Sequence, residues 1–225
     1  MKKVIISFVV LVAAVLSSNA QIFVGGGVGV DFGGGKSTSG GTSVDLPKSL
    51  AFSFTPKVGF YLNDDFAVGL EVGLLSMTQK RTLYSGDERK DNTTGWAVGA
   101  FARYNLIGGD KLSLLLEGSI AYGGMKDKTT VGSTTTNGDP VSTFGIGVLP
   151  VLSYSLTEKL SIEASCDFLR LGFLSITEKD SGNSNDKVTE NYFGFGVNPI
   201  GFNILDIDET LGISNMFKVG LTFKF

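Results

Sequence analysis

The chain has 225 residues, of which 31 are glycine, one is cysteine and none is histidine, and its formal net charge is −3. Glycine is therefore at about twice its usual share of about 7%, without a collagen repeat or a proline excess. The missing histidine removes the usual general base and metal ligand, the lone Cys166 excludes an internal disulfide, and the charge provides no basic footprint for nucleic acid.

The N-terminus has the pattern of a secretory signal. An apolar run from Val4 to Leu16 follows two lysines, and Ser18 and Ala20 place small residues at positions −3 and −1 of a cleavage site before Gln21. The run is too short for a membrane anchor, which is the alternative. The predicted domains are a signal peptide, residues 1–20, and one exported domain, residues 21–225.

The exported part alternates apolar residues with small or polar ones, which is the period of a β-strand. Four such segments occupy its first half, and glycine, serine, threonine and isolated charges form their opposite faces. Their apolar faces are Ile22, Val24, Val28 and Val30; Phe52, Phe54, Pro56, Val58, Phe60 and Leu62; Phe66, Val68, Leu70, Val72 and Leu74; and Trp96, Val98, Ala100, Ala102 and Tyr104.

The second half continues the pattern with four more segments. Their apolar faces are Leu112, Leu114, Leu116, Ile120 and Tyr122; Phe144, Ile146, Val148, Leu152 and Tyr154; Leu160, Ile162, Ala164, Cys166 and Phe168; and Phe217, Val219, Leu221, Phe223 and Phe225. Between the last two segments, Phe193 and Phe195 also alternate with glycine, but a ninth strand alone would break the even parity. We expect residues 177–213 to form a long loop or hairpin, and a ten-stranded barrel is the alternative.

Connectors alternate between short and long. Asn63–Asp65, Ile107–Asp110 and Ser155–Lys159 are tight, whereas segments such as Gly33–Ser49 and Asp127–Pro140 are long and polar. An even number of antiparallel strands with this asymmetry is typical of a transmembrane barrel. The short turns are predicted to lie in the periplasm and the long loops outside the cell.

The two faces distinguish a membrane barrel from a soluble one. Packing the glycine face into a dry core would leave voids, so the apolar face is predicted to meet lipid and the sheet to close, since open edges are costly there. Aromatic residues also cluster at both predicted rims, as an interfacial belt requires. They are Phe60, Phe66, Tyr104, Tyr154 and Phe223 by the short turns, and Phe32, Phe52, Trp96, Tyr122, Phe144 and Phe168 by the long loops.

The predicted fold is all-β: a closed antiparallel transmembrane β-barrel of eight strands in an up-and-down meander. With its signal segment and its closing segment Phe217–Phe225, the chain resembles the OmpA/OmpX-type outer-membrane β-barrel domain of the porin-like family of Gram-negative bacteria. The resemblance implies a monomer in the bacterial outer membrane, surrounded by its lipids. It also implies that the barrel assembly machinery recognises the C-terminal signal formed by Phe217, Val219, Leu221, Phe223 and Phe225.

Inward charges are the candidate functional residues. A hairpin centred on Asp64 places Lys57 opposite Glu71, and Arg103 and Glu117 lie at comparable heights on the next two strands. Because unpaired charges are costly in a barrel interior, these four are predicted to form an ion network. An eight-stranded interior is just filled by side chains, so the network is predicted to plug the lumen. A narrow porin for small solutes or ions is the alternative.

No catalytic residue, metal site or cofactor is predicted. Gly33–Ser37 resembles the end of a phosphate-binding loop, but Val30 replaces the required glycine. Glu163 and Asp167 share one face of a strand and are interpreted as a lumen brace. In the family that the chain resembles, enzymes acting on lipid A use a catalytic histidine, which this sequence lacks. We therefore expect a non-enzymatic barrel with a structural or surface-interaction role, whose loops contact extracellular ligands.

Overall fold

A computed structural model describes residues 21–83, 86–166, 169–180, 186–195 and 217–225. The predicted signal peptide, up to Ala20 of the predicted cleavage site, lies outside the described residues. No helix in the described part of the chain is long and apolar enough to cross a membrane. The strands are β1 Ile22–Gly33, β2 Lys36–Ser39, β3 Thr42–Asp45, β4 Lys48–Tyr61, β5 Phe66–Thr82, β6 Glu88–Gly108, β7 Leu112–Val131, β8 Thr134–Asn137, β9 Val141–Ser155, β10 Leu160–Cys166, β11 Leu171–Lys179, β12 Lys187–Phe195 and β13 Phe217–Lys224.

Antiparallel pairing joins eight of these strands into a ring. In chain order they are β1, β4, β5, β6, β7, β9, β10 and β13. β13 closes the ring, because Leu221 is the register partner of Gly26 in β1 and of Ile162 in β10. The predicted eight-stranded antiparallel meander is confirmed, and over Phe23–Val28 of β1 the closing strand pairs backbone groups that lipid would otherwise leave unsatisfied.

The two faces of the ring differ as the alternation predicts. Val58, Val98 and Ile146 remain about half exposed on the outer face, whereas Ala67 and Phe101 are buried on the inner face. At the predicted long-loop rim, the rings of Trp96 and Tyr122 meet edge to face with centroids 6.1 Å apart. The outer face is therefore apolar, and aromatic side chains border it at this rim.

Several strands extend further than the apolar pattern predicts. β5 continues to Thr82 and β6 begins at Glu88, so the predicted long loop between them is reduced to residues 83–87. The predicted loops Gly33–Ser49 and Asp127–Pro140 likewise contain the β2–β3 hairpin and β8. The pattern missed these extensions because both of their faces are polar, while the backbone pairing continues unchanged.

The predicted strand Leu160–Phe168 is seen as β10 up to Cys166, and its last two residues lie outside the described residues. β10 and β11 both pair with β9, but Ser165 faces Val151 whereas Leu171 faces Val148. Six residue steps from Ser165 to Leu171 thus match three along β9, and Arg170, directly before β11, is buried. β11 and β12 form a hairpin that begins earlier than the predicted residue 177, and residues 196–213 lie outside the described part.

Candidate functional site

Three inward side chains on three strands form the centre of the charged lumen. Arg103 of β6 donates from Nε to Oε2 of its register partner Glu117 on β7, at 2.5 Å. Its Nη1 and Nη2 donate to Oε1 and Oε2 of Glu163 on β10, at 2.8 and 2.7 Å. Arg103 therefore binds Glu163 through both terminal nitrogens and Glu117 through Nε, which is a strongly directional arrangement.

Lys57 joins this centre through Glu117 instead of through its register partner. Its Cα pairs with that of Glu71, yet its Nζ lies 3.1 Å from Oε2 of Glu117. β5 and β6 lie between β4 and β7 in the ring, so the Lys57 side chain reaches Glu117 through the barrel interior. Oε1 of Glu71 is buried without a hydrogen-bond partner among the described residues.

Glu163 is the member of the site that the predicted network of four did not include. It accepts a further hydrogen bond from Thr222 Oγ1 of β13, at 2.7 Å. The sequence contained a signal for this contact. Glu163 lies four residues after Lys159, the end of one short connector, and Arg103 lies four residues before Ile107, the start of another. Equal distances from the short turns place the two residues at similar heights in the barrel. Asp167, predicted to share its face, lies outside the described residues.

Burial makes these contacts energetically significant. The exposed fraction of the side chain is 3% for Arg103, 6% for Glu117, 10% for Glu163 and 13% for Lys57. Removing one partner of a buried pair leaves an uncompensated charge, which costs about 3–5 kcal/mol. The cluster is therefore a mutually dependent unit.

Aromatic rings support the two cations. The guanidinium carbon of Arg103 lies 5.5 Å from the ring centroids of both Phe23 and Phe101, and Lys57 Nζ lies 5.4 Å from that of Phe101. These distances allow cation–π attraction. A Cβ atom at Gly69 would lie 2.5 Å from the Phe101 ring, so this inward glycine makes the space that the ring occupies.

Two small cavities flank the charged cluster. One, of about 70 Å³, lies toward the short turns and is lined by Asp65, Arg103 and Glu163 among others. The second, of about 60 Å³, is lined by Glu71, Arg170 and Glu163 among others. Because Glu163 borders both, its contact with Arg103 forms part of the partition between them.

Apolar and polar side chains are both buried in the rest of the lumen, among them Ser53, Thr93 and Thr143. Leu75, Ala97 and Ala121 form one buried cluster, and Phe23, Ala67 and Phe101 form another. Arg170 Nη1 lies 3.5 Å from Ser119 Oγ, within this interior. No group of three or more histidine, cysteine or acidic side chains in the described ranges could hold a metal ion.

The predicted C-terminal signal lies on β13. Val219, Leu221, Phe223 and Phe225 are exposed, and the rings of Phe223 and Phe225 meet edge to face at 5.0 Å. Phe217 is the first residue of the strand. Recognition of these residues by an assembly machinery stays a prediction.

Comparison with known proteins gives a family and several similar folds. The family model described as "Outer membrane protein beta-barrel domain" matches residues 5–199. No curated protein matches the chain.

Solved structures resemble the fold at low sequence identity. Neisserial surface protein A is 16% identical, covers 91% of this chain and 97% of its own, with a TM-score of 0.38. The attachment invasion locus protein Ail of Yersinia pestis is 11% identical and covers 92% of this chain and 100% of its own, with a TM-score of 0.42. A major outer membrane protein of Thermus thermophilus is 13% identical and covers 92% of this chain and 100% of its own, with a TM-score of 0.45.

Proposed function

The chain belongs to the outer membrane protein β-barrel family, and from that premise we propose that it is a barrel with a closed lumen and a structural or surface-interaction role. It resides in the bacterial outer membrane, where its outer face contacts lipid. The proposal includes no catalytic activity. It also includes insertion by the barrel assembly machinery through the C-terminal strand and, because β13 completes the ring within one chain, a monomeric state.

The contact between Arg103 and Glu163 carries the closed-lumen part of the proposal. It joins β6 to β10, which are separated in the ring by β7 and β9, so it spans the interior. The cavities on either side hold only about 70 and 60 Å³. A hydrated ion that passes from one cavity to the other would have to displace the buried ion pair of Arg103 and Glu163, which two hydrogen bonds hold together.

Planar-bilayer recording of the refolded barrel tests closure. We expect the native protein to show no stable conductance and the variant R103A/E163A to show one, because the pair that separates the cavities is then absent. Arg89→Gln is the matched control, since Arg89 forms its 3.0 Å pair with Asp91 in the polar extension of β6. A stable native conductance that R103A abolishes would establish the alternative, a narrow porin.

The polar extensions support the surface-interaction part of the proposal. β5, β6 and β7 continue beyond the aromatic rim, and β2–β3 forms a separate polar hairpin. These segments lie opposite the short turns, so we propose that they face the cell exterior and contact extracellular ligands. Replacing Lys36–Asp45 by a short linker should reduce adhesion of expressing cells to host cells or matrix without reducing barrel yield. Unchanged adhesion after removal of every extension would contradict the role.

A further inference from the structure

Charges in the strand extensions are segregated between the two faces of the sheet. Beyond the aromatic rim, the outward face of β4–β7 carries a lysine band, defined here as Lys48, Lys80, Lys90, Lys126 and Lys128. In the described extensions of these four strands, the outward face carries one acidic residue, Glu88. The inward face of the same extensions is mixed, with Arg81 and Arg89 beside Asp91 and Asp127.

The register places lysines of the band directly against one another. Lys80 is the Cα partner of Lys48 on one side and of Lys90 on the other. Like charges directly opposite each other destabilise a sheet. Lys80 pairs with Glu88 at 3.1 Å, but one carboxylate cannot neutralise five ammonium groups. The pattern recurs on the neighbouring hairpin, where Lys179 faces Lys187.

The members of the band nearest the rim lie within reach of the lipid headgroups, which form a layer about 5–8 Å thick on each side of the hydrocarbon core. Lys48 lies four residues beyond Phe52 on the same face, which is about 13 Å along the strand and about 10 Å above the rim for a tilted strand. Lysine stems fold back toward apolar surface while their ammonium groups stay hydrated. The band therefore extends the lipid-facing surface beyond the rim, and its ammonium groups can reach the adjacent headgroups.

The opposite rim has no comparable excess of positive charge. Its short turns carry Asp64, Asp65, Asp110 and Glu158 against Lys111 and Lys159. The basic character is thus a property of one rim and one face. From this juxtaposition we propose that the lysine band binds the phosphate groups of lipid headgroups in the outer leaflet. The proposal rests on the outer-membrane location and does not depend on whether the lumen is closed.

Lipid selectivity measured by electron spin resonance tests the proposal. The barrel is refolded into phosphatidylcholine vesicles that contain either spin-labelled phosphatidate or spin-labelled phosphatidylcholine. We expect phosphatidate to associate about fivefold more strongly with the native barrel, which is the effect of one lysine near an anionic surface. Replacing all five lysines of the band by glutamine should bring the ratio to about one.

A matched pair of double variants controls for net charge. K80Q/K90Q removes two positive charges from the outward face. R81Q/R89Q removes two positive charges from the inward face, at the next register pair of the same two strands. We expect the first to lower the ratio by about half or more and the second to leave it unchanged. Glu88→Gln should raise it. Heat-modifiable gel mobility verifies that each variant is folded.

Two results would overturn the proposal. Equal losses in K80Q/K90Q and R81Q/R89Q would show a general charge effect without a lipid site. Lysine-dependent binding of heparin, together with a phosphatidate ratio that does not respond to K80Q/K90Q, would assign the band to a soluble polyanion.

Discussion

Arg103 and Glu163 form two parallel hydrogen bonds, of 2.8 and 2.7 Å, between strands that are not neighbours in the barrel. Both side chains are almost completely buried, and Glu163 also accepts a bond from Thr222 on the closing strand. The contact therefore braces the interior across its width and links it to the strand that completes the ring.

Arg103→Ala is expected to destabilise the barrel by about 3–5 kcal/mol, because Glu117 and Glu163 are left buried without their main cation. Arg103→Lys should cost less, since it keeps a charge but cannot bond both carboxylates through a planar fork. Urea unfolding of the barrel in lipid vesicles measures both. A loss below about 1 kcal/mol for Arg103→Ala would contradict the assigned role of the brace.

Glu117 and Glu71 should respond differently to the same isosteric change. Glu117 accepts hydrogen bonds from both Arg103 and Lys57, so Glu117→Gln should lower the free energy of unfolding by about 2–4 kcal/mol. Glu71→Gln should cost less than about 1 kcal/mol, because Oε1 of Glu71 has no hydrogen-bond partner among the described residues. The same urea titration compares them, and equal losses would be inconsistent with the observed pairing.

Gly69→Ala should destabilise the barrel by about 1–3 kcal/mol, because the added methyl would overlap the Phe101 ring and the Val58 carbonyl. Gly118→Ala is the matched control, since the nearest atom to its Cβ would be the Gly147 carbonyl oxygen at 4.0 Å. Thermal unfolding followed by gel mobility separates the two. If both variants behaved alike, the close approach of Phe101 to β5 would not contribute to stability.

Phe225→Ala is expected to reduce assembly in cells while leaving refolding in detergent unchanged, because the side chain is exposed and its proposed partner is the assembly machinery. Phe32→Ala, at another exposed aromatic on the ring, controls for a general loss of surface hydrophobicity. The amount of folded barrel in outer-membrane fractions is the measurement. Impaired refolding of Phe225→Ala in detergent would instead indicate a structural role for this residue.

The site was only partly predictable from the sequence. Alternation placed Lys57, Arg103 and Glu117 on the inward face, and hairpin symmetry placed Lys57 opposite Glu71, as the register shows. The hydrogen bonds of Lys57 nevertheless go to Glu117, and Arg103 reaches Glu163. Those choices depend on the curvature of the closed ring and on side-chain length, which a linear pattern does not contain.

The sequence by itself determined the antiparallel membrane barrel, its lipid-facing residues and the inward face of Lys57, Arg103 and Glu117. These follow from the two-residue period of a strand, which is a local steric property. Only the tertiary structure decided how far the polar strands extend, where β10 ends and β11 begins, and which charges meet inside. Backbone pairing continues where hydropathy no longer varies, and contacts across the lumen join residues that are distant along the chain, so both require the closed sheet to be specified.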